Sequence, residues 1–325
     1  MMFCVSPRLR QVGRFAIGWL LALLVAVSGE WLQWMRAHSI PHVAPYDAAL
    51  DATGISVSQH ADPGSLMLPV GTRPQPATAE LSSTAPLLLV SVTDVEVRAV
   101  LNMVPDALPT VIGNRTYYDL GIIGETRTYL VQATGMGPAG VRSCIEDGIR
   151  ALAPCALILV GIAFGLQPER QQIGNILLSR QVQDYDPQRW GIGPGQEVVI
   201  YGRGNRVMAT EWLLDRFTAG KHQWRGMAQV QTGLLLSGSL LVDHPEARDR
   251  LRHLAPEAIG GEMEAATLSD VAQRHHVSWI VVKAISDRAD GNKCQHEQEY
   301  QRLAAENAAQ FVFQVIGQPG FLPRG

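Results

Sequence analysis

Lysine is almost missing from this chain. Of 27 basic residues only Lys221, Lys283 and Lys293 are lysine, and the arginines are scattered instead of forming an anion patch. No run of like charge tracks a phosphate backbone, and 30 acidic residues against 27 basic ones leave a formal charge of -3. Nucleic acid is therefore not an expected partner. Charged residues are scarce overall, at 18% against about 25% in soluble domains, which fits a well-buried domain with an uncharged appendage and excludes disorder of the whole chain. Cysteine is sparse too. Cys4, Cys144, Cys155 and Cys294 form no CxxC and have no histidine at zinc-ligand spacing, so neither a disulfide framework nor a metal site is expected and buried free thiols are the reading. His275 and His276 are adjacent, about 100° apart on a helix, and cannot chelate one ion. Internal repeats are absent.

What is present divides into three stretches. Arg8, Arg10 and Arg14 precede fifteen residues without charge, Phe15 to Gly29 (FAIGWLLALLVAVSG), followed by Trp31 and Trp34. This is a membrane-directed pattern for residues 1–35, readable as a signal peptide with small residues near Ala26 to Ser28 or as an uncleaved anchor. Either would send the domain to the periplasmic side, an anchor also holding it at the inner membrane; a true start further downstream would leave it cytoplasmic. Residues 36–85 are rich in Pro, Ser, Ala, Gly and Thr without a period of 2 or 3.6, and read as a disordered linker. The folded domain is expected at 86–318, with 319–325 as a tail.

Within it, apolar runs of strand length recur at Leu87–Val92, Thr128–Ala133, Ala156–Ile162, Asn175–Ser179, Glu197–Tyr201, Val230–Leu236 and Trp279–Ala284. Helical patterns cover Asp94–Met103, Ala139–Leu152, Ala209–Phe217, Pro245–Leu254, Met263–His276 and Glu297–Ile316. Buried strands alternating with helices predict a mostly parallel sheet covered on both faces, where ligands gather beyond the carboxyl ends of strands. Four such ends carry polar or glycine-rich residues: Thr93-Asp94-Val95-Glu96, TGMGPAG (Thr134–Gly140), Gly161-Ile162-Ala163-Phe164-Gly165, and Ser286-Asp287. Glu262-Met263-Glu264 opens the helix preceding the last strand. Each alone has a plain reading: a tight turn, an acid favoured by the helix dipole, an N-cap pair. GMGPAG is not a dinucleotide fingerprint, since Pro138 falls at the helix start and no ribose-binding acid follows the next strand. No cofactor is expected.

Their order is less easily explained by chance. GEMEAATLSDVA (Gly261–Ala272) and VVKAISDRADG (Val281–Gly291), with TGMGPAG and VGIAFGL as looser pieces, resemble the nucleoside phosphorylase superfamily, most closely its 5'-methylthioadenosine/S-adenosylhomocysteine nucleosidase branch. The resemblance spans Leu87 to Ile316. It implies an α/β three-layer αβα phosphorylase-type fold with a central mixed, mostly parallel sheet, and a purine nucleosidase that hydrolyses the N-ribosidic bond of an adenosine-type nucleoside.

That reaction leaves a ribose with oxocarbenium character and a base gathering negative charge, so it needs a proton donor to the purine and a group that activates water on the other face. The resemblance implies Asp287 as the acid at N7 of the base, protonated near neutrality through desolvation, oriented by Ser286. Glu96 is implied as the ionised carboxylate holding the water. Glu264 is implied as acceptor for the ribose hydroxyls, beside Glu262, with Met263 as an apolar wall and Ala163 in the loop after the third strand. Where the family carries a stacking phenylalanine, this chain offers Leu241, which weakens stacking on the purine. The 160–164 loop has neither cation nor hydroxyl for a phosphate, which Glu96 would repel; Arg98, two residues along the helix, is expected to face another way. Hydrolysis is the reading, with a phosphate-dependent phosphorylase or a membrane-tethered nucleoside-sensing module as alternatives. The resemblance also implies a homodimer in which a neighbouring subunit closes part of the site, to which the apolar runs Leu234–Leu241 and Phe164–Leu166 add support.

Overall fold

The computed structural model describes residues 85–323, all in the second of two units, Met1–Thr72 and Arg73–Gly325, into which the chain divides. The membrane-directed segment and all but the last residue of the linker lie outside the described residues. Among the described residues no helix is long and apolar enough to cross a membrane.

Strand β1 (Leu87–Ser91) is buried throughout because it is central: β4 (Thr126–Gln132) and β5 (Ala156–Gly165) flank it, both parallel. An unbroken apolar run is what a strand covered on both faces requires. On the other side of β5 lies β12 (Ser278–Asp287), also parallel, and then β6 (Ile176–Asp184), β10 (Val230–Ser237) and β11 (Ala258–Glu262). β11 returns to pair with the last residues of β5, Gly260 with Gly165 and Gly261 with Phe164. The strands β5, β12, β6, β10 and β11 thus close into a ring at one end of a mixed sheet. At the other end β3 (Arg115–Ile123) and β2 (Leu108–Ile112) continue the sheet as antiparallel strands, and β9 (Arg206–Met208) is an antiparallel strand on β6.

Helices cover both faces. α1 (Asp94–Leu101), α3 (Glu211–Gln223) and α6 (Glu297–Ile316) form one layer; α2 (Gly137–Leu152) pairs with α5 (Ala265–Arg274). Buried Ala304, Ala305, Ala308 and Ala309 let α6 lie close on β12 and β5. Phe311 of α6 meets Phe217 and Trp224 edge-on, and Phe217 meets Phe321, which is buried although it follows the helix in the stretch read as a tail.

The sequence-derived elements agree with the structure for all six helices, counting α4 (Pro245–Leu254), but miss five strands and misplace a sixth. β2 and β3 were not anticipated, because their exposed and half-buried side chains give no apolar run. β11 is five residues with two glycines, which carry little strand signal. The run Glu197–Tyr201 does contain a strand, β8 (Val198–Gly202), but it pairs only with the unanticipated β7 (Gln188–Ile192) in a separate two-stranded ribbon. Apolar side chains face solvent there, so an apolar run alone misplaced β8 in the sheet. Of the cysteines, Cys144 is buried, Cys155 half-buried and Cys294 exposed, so the expectation of buried thiols fails at Cys294. The pairing that positions the site is Lys283 of β12 beside Gly161 of β5, next to the end of β1.

Candidate active site

Glu96, Ala163, Leu241, Glu262, Met263, Glu264, Ser286 and Asp287, the eight residues singled out in the sequence, all line one cavity of about 160 Å³ at the carboxyl ends of β1, β5 and β12. Arg98 is not among them and is exposed, as a position two residues from Glu96 on a helix dictates.

Glu96 is held by the start of α1. Thr93 caps that helix, its hydroxyl accepting from the Glu96 N–H while Glu96 Oε2 accepts from the N–H groups of Thr93 and Val92, both at 2.8 Å. This reciprocal box fixes the side chain before any substrate arrives. Its other oxygen, Oε1, accepts from the N–H of Ile162 at 2.8 Å. A Cβ at 161 would stand 2.0 Å from Glu96 Oε1, so glycine there is what leaves the carboxylate its place.

Glu264 ends the turn between β11 and α5, and its Oε1 accepts from the N–H of Gly137 at 2.8 Å. Gly137 has φ +80°, a conformation natural only to glycine, and it aims that N–H across the cavity. The turn reading of TGMGPAG is therefore correct, and the turn also orients Glu264. Glu262 caps α5, accepting from the N–H groups of Glu264 and Ala265 at 3.0 Å. Its carboxyl is pushed up to about 7, by burial first, against the pull of Lys283 and with the repulsion of Glu264.

Lys283 is the residue the sequence reading missed. It sits in the buried strand β12 at 1% exposure, with Nζ 3.6 Å from Glu96 Oε1, 3.6 Å from Glu264 Oε2 and 3.9 Å from Glu262 Oε2. Burial alone would push its ammonium down; Glu96, Glu264 and Glu262 outweigh that and hold it above the ordinary lysine value. The signal was available: a charged residue inside an apolar strand-length run requires a buried partner. The 160–164 loop has no cation of its own, but pairing with β12 delivers one beside it.

Asp287 closes the far end. Burial raises its carboxyl above the ordinary aspartate value, against the pull of Lys293, whose Nζ is 3.6 Å from Oδ2, the N–H of Ala289 and the Ser286 hydroxyl. The Ser286 hydroxyl faces two acceptors, the Ala163 carbonyl at 3.3 Å and Asp287 Oδ2 at 3.1 Å. One hydroxyl proton serves both contacts fully when Asp287 carries a proton of its own and donates to Ser286. Phe164, also lining the cavity, is buried, and Leu241 is exposed at its mouth.

Carboxyl groups in a cavity at strand ends, two of them raised above their ordinary values by burial, define an α/β fold with a small-molecule pocket suited to acid-base chemistry. The chain belongs to the Phosphorylase superfamily, whose family model matches residues 88–317. Among curated relatives it is 27% identical over 195 residues to a 5'-methylthioadenosine/S-adenosylhomocysteine nucleosidase of Marinomonas sp. (strain MWYL1), covering 59% of this chain and 82% of that protein. It is 26% identical over 182 residues to a Death domain-containing ATP nucleosidase of Amphimedon queenslandica, covering 49% of this chain and 33% of that protein. The crystal structure of the 5'-methylthioadenosine/S-adenosylhomocysteine nucleosidase from Neisseria meningitidis in complex with methylthio-immucillin-A superposes with a TM-score of 0.62 at 22% identity, over 72% of this chain and 99% of that one. At that identity the agreement concerns the fold, which is the three-layer α/β fold expected.

Replacing Lys283 tests how the cavity is held together. Lys283→Met keeps most of the stem and leaves three buried carboxylates without a counter-ion, so urea unfolding at pH 7 should show a loss of about 3–5 kcal/mol. The gap from wild type narrows as pH falls, because a protonated carboxyl needs no counter-charge. A loss under about 1 kcal/mol at pH 7, the size of an exposed pair, would contradict this description.

Proposed function

We propose that the chain is a purine nucleosidase that uses water to break the N-ribosidic bond of an adenosine-type nucleoside. One observation carries the reading: Glu96, Glu264 and Asp287, arriving from three separate segments, line the same cavity, and the environment of Asp287 favours its protonated form. The relatives' names support it, since methylthioadenosine, adenosylhomocysteine and ATP share adenine and ribose and differ at the 5' position.

In this reading water attacks C1' of the ribose as the bond to the base breaks, and the bond's electron pair goes to the purine. Asp287 gives its proton to N7 of the leaving base, and Glu96 takes one from the water. Glu264 holds the ribose hydroxyls, and Met263 packs against the sugar. Carboxylates outnumber Lys283 around the sugar, so developing positive charge there is stabilised. A phosphate dianion in place of water would meet Glu96, Glu262 and Glu264 as like charges, with the only deeply buried cation among the described residues already shared by all three.

The pH profile of adenine release tests the acid. Activity requires protonated Asp287, so kcat falls as pH rises through its raised pKa. Lys293→Met removes the neighbouring cation that pulls this pKa down and should move the alkaline limb to higher pH. Asp287→Asn should reduce the rate by about 10²–10⁴. Full activity in Asp287→Asn, or an alkaline limb unmoved in Lys293→Met, would show that another group gives the proton; nucleoside binding without any base release would favour the sensing module.

We further propose a homodimer. The runs first read as its support are mostly core, with Leu166, Leu234, Leu235 and Leu236 buried. Support comes instead from exposed Met136, Leu240 and Leu241, which line or adjoin the mouth of the cavity, and from Trp190, Ile192 and Val198 on the β7–β8 ribbon. Exposed apolar side chains gathered in this way mark interfaces. Sedimentation of residues 86–325 at micromolar concentration should give a dimer that retains activity; a fully active monomer would refute it.

A further inference from the structure

The cavity that holds the eight residues is small, about 160 Å³, against about 300–1,000 Å³ for pockets that bury a drug-sized ligand. Room lies next to it. A groove of about 660 Å³ between α1 and α6 shares Thr93 and Gln301 with the cavity and continues past Asp94, Arg98, Asn102, Gln298, Arg302 and Glu306.

Given the nucleosidase reading, on which this inference rests, the groove adjoins one particular end of the substrate. Asp287, Ser286 and Leu241 take the base, and Glu264 takes the ribose hydroxyls. Thr93 and Gln301 line both the cavity and the groove and are given to neither the base nor the ribose hydroxyls, so this reading puts the 5' carbon on their side. A substituent leaving the 5' carbon therefore enters the groove.

The lining of the groove mixes apolar surface with polar and charged side chains, whose charges are unequally satisfied. Arg302 is paired with Glu306 at 3.1 Å, and Asp94 accepts from the Gln132 amide at 2.9 Å. Arg98 has no side-chain hydrogen bond or ion pair among the described residues. Five residues beyond Thr93 along a helix, it stands about 7.5 Å further along the axis. A methylthio group is too short to meet it; a longer chain ending in an anion is not.

We propose that this groove receives the 5' substituent of the nucleoside, that the preferred substituent is a long polar chain ending in an anionic group, and that Arg98 is the residue that selects it. The anion is a carboxylate or a phosphate, both of which a guanidinium binds through paired N–H donors. An apolar 5' group offers Arg98 no acceptor.

The test is a selectivity ratio. Using the full chain, kcat/KM for adenine release is measured on 5'-methylthioadenosine, S-adenosylhomocysteine and ATP, for wild type, Arg98→Ala and Arg98→Lys. Wild type should prefer at least one anion-tailed compound over methylthioadenosine. Arg98→Ala should lower that preference about tenfold or more, the size expected for a charge-assisted hydrogen bond, mainly through KM, and Arg98→Lys should restore part of it. The compound whose advantage collapses identifies carboxylate or phosphate as the anion. A preference unchanged in Arg98→Ala, or a wild-type preference for methylthioadenosine, overturns the proposal. If none of the three releases adenine, the nucleosidase reading fails separately, and dissociation constants measured by calorimetry carry the same ratio test: a selectivity lost with Arg98 supports the proposal and an unchanged one overturns it.

Discussion

The site depends on a single ammonium group. Lys283 lies in the interior of β12 with three carboxylates from two other segments within 4 Å of its Nζ. Taking an ion out of water costs several kcal/mol, and none of these four groups would stay charged there alone. Together they hold each other in place. Glu96 comes from the first turn of α1, Glu262 from the end of β11 and Glu264 from the cap of α5, so one cation ties three strand ends into a cavity that keeps its carboxyl groups ready.

The backbone is shaped around that cluster. Parallel pairing of β1, β5 and β12 brings their ends to one side of the sheet, and glycine at 161 leaves the space that the Glu96 carboxylate fills. Backbone N–H groups of Val92, Thr93, Ile162 and Gly137 complete the acceptor capacity of Glu96 and Glu264. Asp287 is set apart. It shares no contact with Lys283, has Lys293 as its own cation and is raised by burial above the ordinary aspartate value, so carboxyl groups with different cation partners stand in a small volume. Such a division suits a reaction that removes a proton at one point and delivers one at another.

The sequence revealed most of this, but unevenly. Strands buried on both faces announce themselves as apolar runs, and the helices were legible from period and caps; β2, β3 and β7 were not, because a half-exposed edge or ribbon strand needs no such run. Glu96, Glu264 and Asp287 were visible as polar residues directly after strands or at a helix start. Lys283 was hidden by its setting, since a lone lysine within VVKAI carries no motif and its partners are 19 to 187 residues away; only strand register shows that it faces Gly161. The left-handed turn at Gly137 looked like simple punctuation for the same reason. Its second role, aiming an N–H at Glu264, requires a contact across 127 residues.

In the proposed reaction these carboxyl groups serve water as the nucleophile. This is tested most directly by identifying the sugar released from the preferred adenosine-type substrate in buffer containing saturating phosphate. Free sugar is the expected product, at a rate that phosphate does not change. Sugar 1-phosphate as the product, with turnover lost when phosphate is removed, would contradict it.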